Sequence, residues 1–174
     1  MQLRTKIGFL FILFSFLVSL EADAQVGLKR LFSHNYDEGT MYFIGIKKLN
    51  KLEGMKKFEY DLTYLDFRDS VTVNFTVISP NPTDVVGLTI ENGEQSIAAN
   101  GVELLYHEVK GKNYVVRTTS KVPYKDFKVM MTADSPMCFT VKRADGKGGS
   151  AQYKPSQWKK EKDLFSRIIY LINK

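Results

Sequence analysis

Cysteine and histidine are scarce in this chain of 174 residues, which contains one cysteine and two histidines. A single cysteine cannot form a disulfide within the chain, so the fold has to be stabilised by its own apolar core. Zinc sites usually take three or four ligands from histidine, cysteine and carboxylate side chains at suitable spacing. The sequence has neither a pair of cysteines nor an H-x-x-x-H spacing. We therefore expect no metal, no cofactor and no disulfide scaffold.

Motifs for catalysis are missing as well. The G-x-S-x-G elbow of many serine hydrolases is absent. The glycine-rich stretch 145–150 lacks the G-x-x-x-x-G-K-[ST] spacing of a phosphate loop, and we interpret it as a connector. His34 lies in a predicted linker. His107 lies on a predicted strand, where neighbouring side chains point to opposite faces, so it diverges from Glu108. The chain is predicted not to be an enzyme.

Acidic residues cluster at Asp61, Asp66 and Asp69 and again at Asp37 and Glu38. A glycosidase needs two carboxylates that face each other across a cleft. Aspartates in turns usually accept hydrogen bonds from nearby backbone groups instead. We interpret these acids as structural, and a hydrolase that uses them or His107 remains a third hypothesis.

Two residues carry modification chemistry that the sequence leaves open. Cys138 lies in the predicted strand 137–142 and is interpreted as a small apolar core residue, with an intermolecular disulfide or a nucleophile as alternatives. Asn74 begins the glycosylation sequence Asn-Phe-Thr, on the polar face of another predicted strand. Its modification depends on whether the source glycosylates exported proteins.

The amino end has the order of features that marks a secretory signal peptide. Arg4 and Lys6 precede an apolar run over 7–20, and the small-x-small sequence Ala22-Asp23-Ala24 follows. The apolar run is about 14 residues long, whereas a membrane-spanning helix needs about 20. Residues 1–24 are therefore predicted to be removed, and we expect a periplasmic or extracellular protein.

The net charge of the chain is +6. The four charged residues of the predicted signal peptide cancel, so the mature chain 25–174 keeps this charge. A positive surface favours contact with acidic proteins or phospholipid headgroups. Because the basic residues are scattered and no nucleic-acid motif is present, we expect no nucleic-acid partner. The predicted partner is a protein of the cell envelope, and an anionic membrane surface is the alternative.

The mature chain is long enough for a single domain with a sizeable core. Its first part, 25–40, fits a short amphipathic helix or a segment packed on the body. Side chains in 41–143 alternate with a period of two, which predicts about eight strands: 41–48, 56–65, 71–77, 84–91, 102–109, 113–119, 127–132 and 137–142. Three pairs of them flank short turns and predict hairpins. This spacing predicts an antiparallel β-sandwich, with a barrel as the alternative.

The end of the chain has helical periodicity. An amphipathic helix is predicted over 156–172, with the Ser156 side chain as its N-terminal cap. Its apolar stripe includes Trp158, Phe165, Ile168 and Ile172. We expect this stripe to close the core of the domain; the alternative is an interaction surface for a partner protein or a membrane.

These observations give three hypotheses for function. The first is a non-catalytic exported β-domain that acts through protein–protein interaction. The alternative is a carrier for a lipid or another apolar small molecule, which would need a cavity. The hydrolase is the least favoured.

Overall fold

The computed structural model describes residues 29–49, 51–80 and 84–173, without the side chain of Lys51. The predicted signal peptide lies outside these residues. Neither helix of the described part is both long and apolar enough to cross a membrane. Residues Leu31–Lys174 cluster as one unit, and every element named below belongs to it.

Eleven strands and two helices are present in the described part of the chain. The strands are β1 (Leu31–Tyr36), β2 (Gly39–Leu49), β3 (Lys51–Glu53), β4 (Lys57–Leu65), β5 (Ser70–Ser79), β6 (Val85–Glu91), β7 (Ser96–Ala98), β8 (Asn100–Lys110), β9 (Asn113–Pro123), β10 (Cys138–Arg143) and β11 (Gly148–Gln152). The helices are α1 (Tyr124–Thr132) and α2 (Pro155–Ile172).

The strands form two antiparallel sheets. The large sheet has six strands in the order β1-β2-β4-β5-β9-β8, and the small sheet has five in the order β3-β11-β10-β6-β7. The predicted mainly β, sandwich-like architecture with a C-terminal helix is confirmed, and the described strands form no closed barrel. Two of the predicted hairpins are also confirmed, β4–β5 and β8–β9.

The core lies between the inner faces of the two sheets. On β4, Phe58 and Tyr60 alternate with polar residues and are at most 1% exposed, as the period-two pattern predicts. Their rings lie 5.2 Å and 4.6 Å from the ring of Phe139 on β10 of the small sheet. Phe75 on β5 stacks on Phe58 at 5.9 Å. These aromatic contacts join the two layers.

The two helices cover another part of the inner face of the large sheet. Phe127 and Met131 of α1 and Phe165 and Ile168 of α2 are buried there. Together with side chains of β2, β4 and β5 they enclose an apolar cavity of about 30 Å³. A space of that size holds about one water molecule. The layer opposite the large sheet therefore consists of the small sheet and the helices.

One predicted strand, 127–132, is wrong, and the hairpin predicted from it is wrong as well. The segment belongs to α1, which begins directly after Pro123 at the end of β9. Phe127, Met130 and Met131 are buried, whereas Val129 is 46% exposed. Burial at positions i, i+3 and i+4 is the helical pattern. A strand would instead have buried Val129 on the same face as Phe127.

Three other expectations need correction. Part of the predicted connector 145–150 belongs to β11, between β10 and β3. A Cβ on Gly149 would lie 2.5 Å from Cγ of Met55, so a larger residue at this position would require the Met55 side chain to shift. Of the segment 25–40, for which a helix and a packed segment were both expected, residues 25–28 lie outside the described residues, and Leu31–Tyr36 form the edge strand β1. Ser156 does not cap α2, because Lys154 holds the N-cap position and Pro155 begins the helix.

Candidate functional site

The apolar stripe of α2, one candidate interaction surface, is turned toward the domain itself. Trp158, Phe165 and Ile168 are at most 2% exposed, and only Ile172 is half-buried. The indole nitrogen of Trp158 donates a hydrogen bond to the carbonyl of Ala133 at 3.0 Å. Because these side chains fill the core, a partner could reach them only if the helix detached. The stripe is therefore no candidate surface in the folded domain.

A polar cluster fastens α2 to the large sheet. The Lys47 ammonium on β2 donates to the carboxylate of Glu161 at 2.5 Å, and the Glu161 side chain is only 4% exposed. The ammonium also lies 5.6 Å from the ring centre of Tyr153, whose hydroxyl is 2.5 Å from that of Tyr60. The contacts satisfy charges that burial would otherwise penalise. We assign the cluster to stability.

The acids of the β4–β5 hairpin do not face one another across a cleft. Asp61 is 2% exposed and accepts hydrogen bonds from Asn74 at 2.9 Å and from Arg117 at 2.5 Å. Asp66 accepts one from the backbone N–H of Thr40 at 2.9 Å. Both oxygens of Asp61 are therefore engaged, and Asp66 ties the turn to β2. The sequon amide of Asn74 is itself part of this network.

The stretch 145–150 and the single cysteine show no assembled chemistry. Asp145 pairs with Arg143 at 2.8 Å and accepts the N–H of Lys147, and both contacts lower its pKa, the Arg143 hydrogen bond most. Cys138 is half-buried at the start of β10. His34 lies on the exposed strand β1, where its ring meets Tyr36 edge-on. Within the described ranges, no three His, Cys, Asp or Glu side chains are close enough to hold a metal ion.

The feature that stands out is β8, the long edge strand of the large sheet. It has 11 residues, and every one of them except Val102 is exposed. Leu104, Leu105, Tyr106 and Val109 are 47–65% exposed, although these residue types usually pack inside a sheet protein. Natural proteins normally shorten or charge such edges, because a free edge is a template for pairing with another strand.

A groove runs along the inner face of β8. It has a volume of about 470 Å³. Its lining residues are Asp84, Val85, Val102, Leu104, His107, Glu108, Val109, Tyr114, Val116 and Thr118. Leu104, His107 and Val109 share the face of β8 that lines it, so the groove combines apolar side chains with the imidazole of His107. Of the residues named in the sequence analysis, His107 and its neighbour Glu108 are among these lining residues.

The groove exists because the small sheet stops short of β8. Its edge strand β7 has three residues and pairs only with Thr89–Glu91 of β6. The first half of β6, around Val85, pairs with β10 on one side, and no strand of the described residues pairs with its other side. On the inner face of the β8–β9 hairpin, Val116 and Thr118 of β9 are buried, whereas Leu104 and Val109 of β8 are exposed. The large sheet thus extends past the layer that should bury it.

This arrangement offers two kinds of contact to one ligand. Among the described residues no strand pairs with the open side of β8, so its outward N–H and C=O groups are available there, and the groove presents apolar side chains directly beside them. An extended polypeptide uses both at once, as in recognition by strand addition. The alternation in 102–109 predicted the strand, but nothing in the sequence marked it as an edge without a facing layer.

None of three comparisons with known proteins gives a match for this chain. No protein-family model matches the chain. No curated protein matches it. No solved structure matches it either.

Proposed function

We propose that this protein is a non-catalytic exported binding domain that takes up an extended polypeptide strand along the open edge of β8. The observation that carries the proposal is the coincidence of an 11-residue exposed edge with an apolar groove of about 470 Å³ beside it. Main-chain hydrogen bonds along an edge supply affinity, and side-chain pockets next to it supply selectivity.

Photo-crosslinking from β8 in the native compartment tests this function. A photoreactive amino acid at Leu105, which is 50% exposed, is compared with the same group at the exposed Ser166 on α2. We expect a discrete adduct from position 105 that is absent from position 166. Leu104→Lys should remove the adduct without unfolding the domain, because it places a charge on an exposed edge. Equal labelling from both positions, or none from position 105, would refute the proposal.

Export is the second part of the proposal and has its own test. The order of charge, apolar run and Ala22-Asp23-Ala24 supports removal of residues 1–24. N-terminal sequencing of the protein recovered from outside the cytoplasm should give Gln25. Recovery of the chain with Met1 intact would contradict this part and leave the edge-binding function standing.

The groove also favours the carrier as a second candidate function. Its volume of about 470 Å³ falls in the range of small-molecule sites, whereas the apolar cavity under the helices, at about 30 Å³, is far too small for a lipid chain. Native mass spectrometry of the purified protein separates the candidates. A retained small molecule that is lost in Leu104→Lys favours the carrier, and a bare chain favours strand binding.

A further inference from the structure

We propose that the strand taken up by β8 is β8 of a second copy, paired antiparallel about a twofold axis at His107. This inference deepens the proposed function and depends on it, whereas strand binding does not depend on self-pairing. It rests on three properties of β8: the direction of its free backbone groups, its pattern of apolar residues and its pattern of charges.

The backbone direction follows from the hairpin. Lys110 and Asn113 close a two-residue turn, so the carbonyl of Lys110 points toward β9. Successive residues of a strand direct their backbone groups to opposite sides. Leu105 is the extra residue at the register shift between Leu104 and Tyr106. Counting back from Lys110 past this bulge, Val109, His107 and Leu104 direct their backbone groups to the open edge.

The same three residues share the groove face, and their order is compatible with twofold symmetry. With His107 opposite His107 of the second copy, Leu104 lies opposite Val109 in both halves of the pairing. These side chains are 58% and 65% exposed, and pairing would bury them against each other. Apolar cross-strand pairs of this kind stabilise antiparallel sheets.

The charges on the other face agree with that register. Glu103 comes to lie opposite Lys110 of the second copy, and symmetry makes this contact twice. A centre at Leu104 would leave Lys110 beyond the paired segment, and a centre at Val109 would leave Glu103 outside it. Only the centre at His107 uses the whole segment 103–110 and matches both charges.

The other free edge of the large sheet fits β8 less well. Strand β1 has the sequence Leu-Phe-Ser-His-Asn-Tyr, which offers no carboxylate or amine to Glu103 and Lys110. Pairing of β1 with β8 would also be head-to-tail, and such contacts grow into filaments unless they close into a ring. A β8 pair is closed by symmetry. Since about eight residues a side make a small interface, we expect a dimer in reversible equilibrium with the monomer.

Charge reversal tests the register directly. The mature chain is examined by sedimentation equilibrium over a range of protein concentrations. Glu103→Lys and Lys110→Glu should each weaken dimerisation by about tenfold or more, because each creates two like-charge contacts. The double variant Glu103→Lys/Lys110→Glu should dimerise like the wild type. An equal mixture of the two single variants should form mixed dimers, since both contacts are then complementary. Lys125→Glu on α1 is the matched control and should have no effect.

Several outcomes would overturn the inference. A wild-type chain that stays monomeric at every concentration excludes self-pairing. This register is excluded if neither single reversal weakens dimerisation, or if the double variant does not restore it. Oligomers that grow with concentration indicate the head-to-tail contact with β1. If the chain is monomeric but Leu105 still crosslinks to a different protein, self-pairing is wrong while strand binding stands. Circular dichroism of each variant confirms that the fold is retained.

Discussion

Phe75 and Leu104 occupy the same row of the large sheet, yet they differ completely in burial. Both lie opposite Thr118 of β9, one from β5 and the other from β8, so their side chains share the inner face. Phe75 is 0% exposed, and Leu104 is 58% exposed. Two strand spacings, about 10 Å, separate them. The sheet itself is continuous across this distance, and only the layer that faces it ends.

The comparison shows that strand patterning and burial are decided separately. Alternation of apolar and polar residues defines which face of a strand points inward. Whether that face is covered depends on the extent of the opposite layer, here on a β7 of three residues and on helices that lie elsewhere. An apolar inward position without a cover is a surface that can bind.

The largest expected effect on stability comes from truncating a side chain in the core between the two sheets. Phe75→Ala should lower the free energy of unfolding by about 3–5 kcal/mol, because it removes a fully buried ring and leaves a cavity. The ring stacks on Phe58 at 5.9 Å, in the aromatic contact between the layers. Chemical denaturation followed by circular dichroism measures the loss. A loss under about 1 kcal/mol would mean that the centre is not packed as described.

A smaller loss of stability is expected when the salt bridge that holds α2 on the large sheet is removed. Lys47→Met should cost about 2–3 kcal/mol, since it removes the ammonium from Glu161, whose side chain is 4% exposed. The partial exposure of Lys47 keeps the value below that of a fully buried pair. The double variant Lys47→Met/Glu161→Leu should recover most of the loss, because two apolar side chains replace the pair. A double variant as unstable as Lys47→Met alone would show that the carboxylate is not the cause.

Alkaline pH should lower the stability of the folded domain through the stacked tyrosines Tyr64 and Tyr124. Burial, followed by the neighbouring Tyr124 and the carboxylates of Asp66 and Asp69, raises the pKa of Tyr64 to about 12. Burial also raises the pKa of Tyr124, whose ring stacks on Tyr64 at 4.2 Å. In the unfolded chain tyrosine has a pKa of about 10. Between about pH 10 and pH 12 the unfolded chain therefore loses protons that the folded chain keeps, and stability falls as pH rises.

Tyr64→Phe should make the melting temperature less dependent on pH above about pH 10, since the substitution removes one of these groups. Tyr106→Phe on β8 is the matched control for the loss of a phenol hydroxyl from an exposed site, and its melting curve should follow the wild type. Thermal unfolding across this pH range measures the difference. An unchanged alkaline slope in Tyr64→Phe would assign the effect to other groups.

The long, regular elements could be predicted from the sequence, and the short ones could not. Phe58, Tyr60 and Leu62 repeat often enough to define β4, and the stripe of α2 covers more than four turns. The segment 127–132 is too short for this, because alternation and helical spacing both fit six residues. The structure forms the helix, which buries the consecutive residues Met130 and Met131 together, whereas a strand would turn them to opposite faces.

The candidate site could be predicted only in part. The strand 102–109 and its hairpin follow from alternation around a Lys-Gly-Lys turn, but its place at the edge depends on the strand order. β11 could not be predicted, because its sequence Gly-Gly-Ser-Ala-Gln has no alternation of large apolar residues. It is a strand because its backbone pairs with β10 and β3. The stripe of Trp158, Phe165 and Ile168 offered two interpretations, and a helix pattern does not say what lies against it.

The smallest effect on stability is expected at Leu104, on the exposed inner face of β8. Leu104→Ser should change the free energy of unfolding by no more than about 0.5 kcal/mol, because the side chain is already 58% exposed. The same substitution should weaken dimerisation severalfold, since it removes both contacts with Val109 of the second copy. Denaturation and sedimentation equilibrium on one preparation give the two values together. A variant that loses stability as Phe75→Ala does would show that the face of β8 is covered after all, and the distinction between the two ends of this row would disappear.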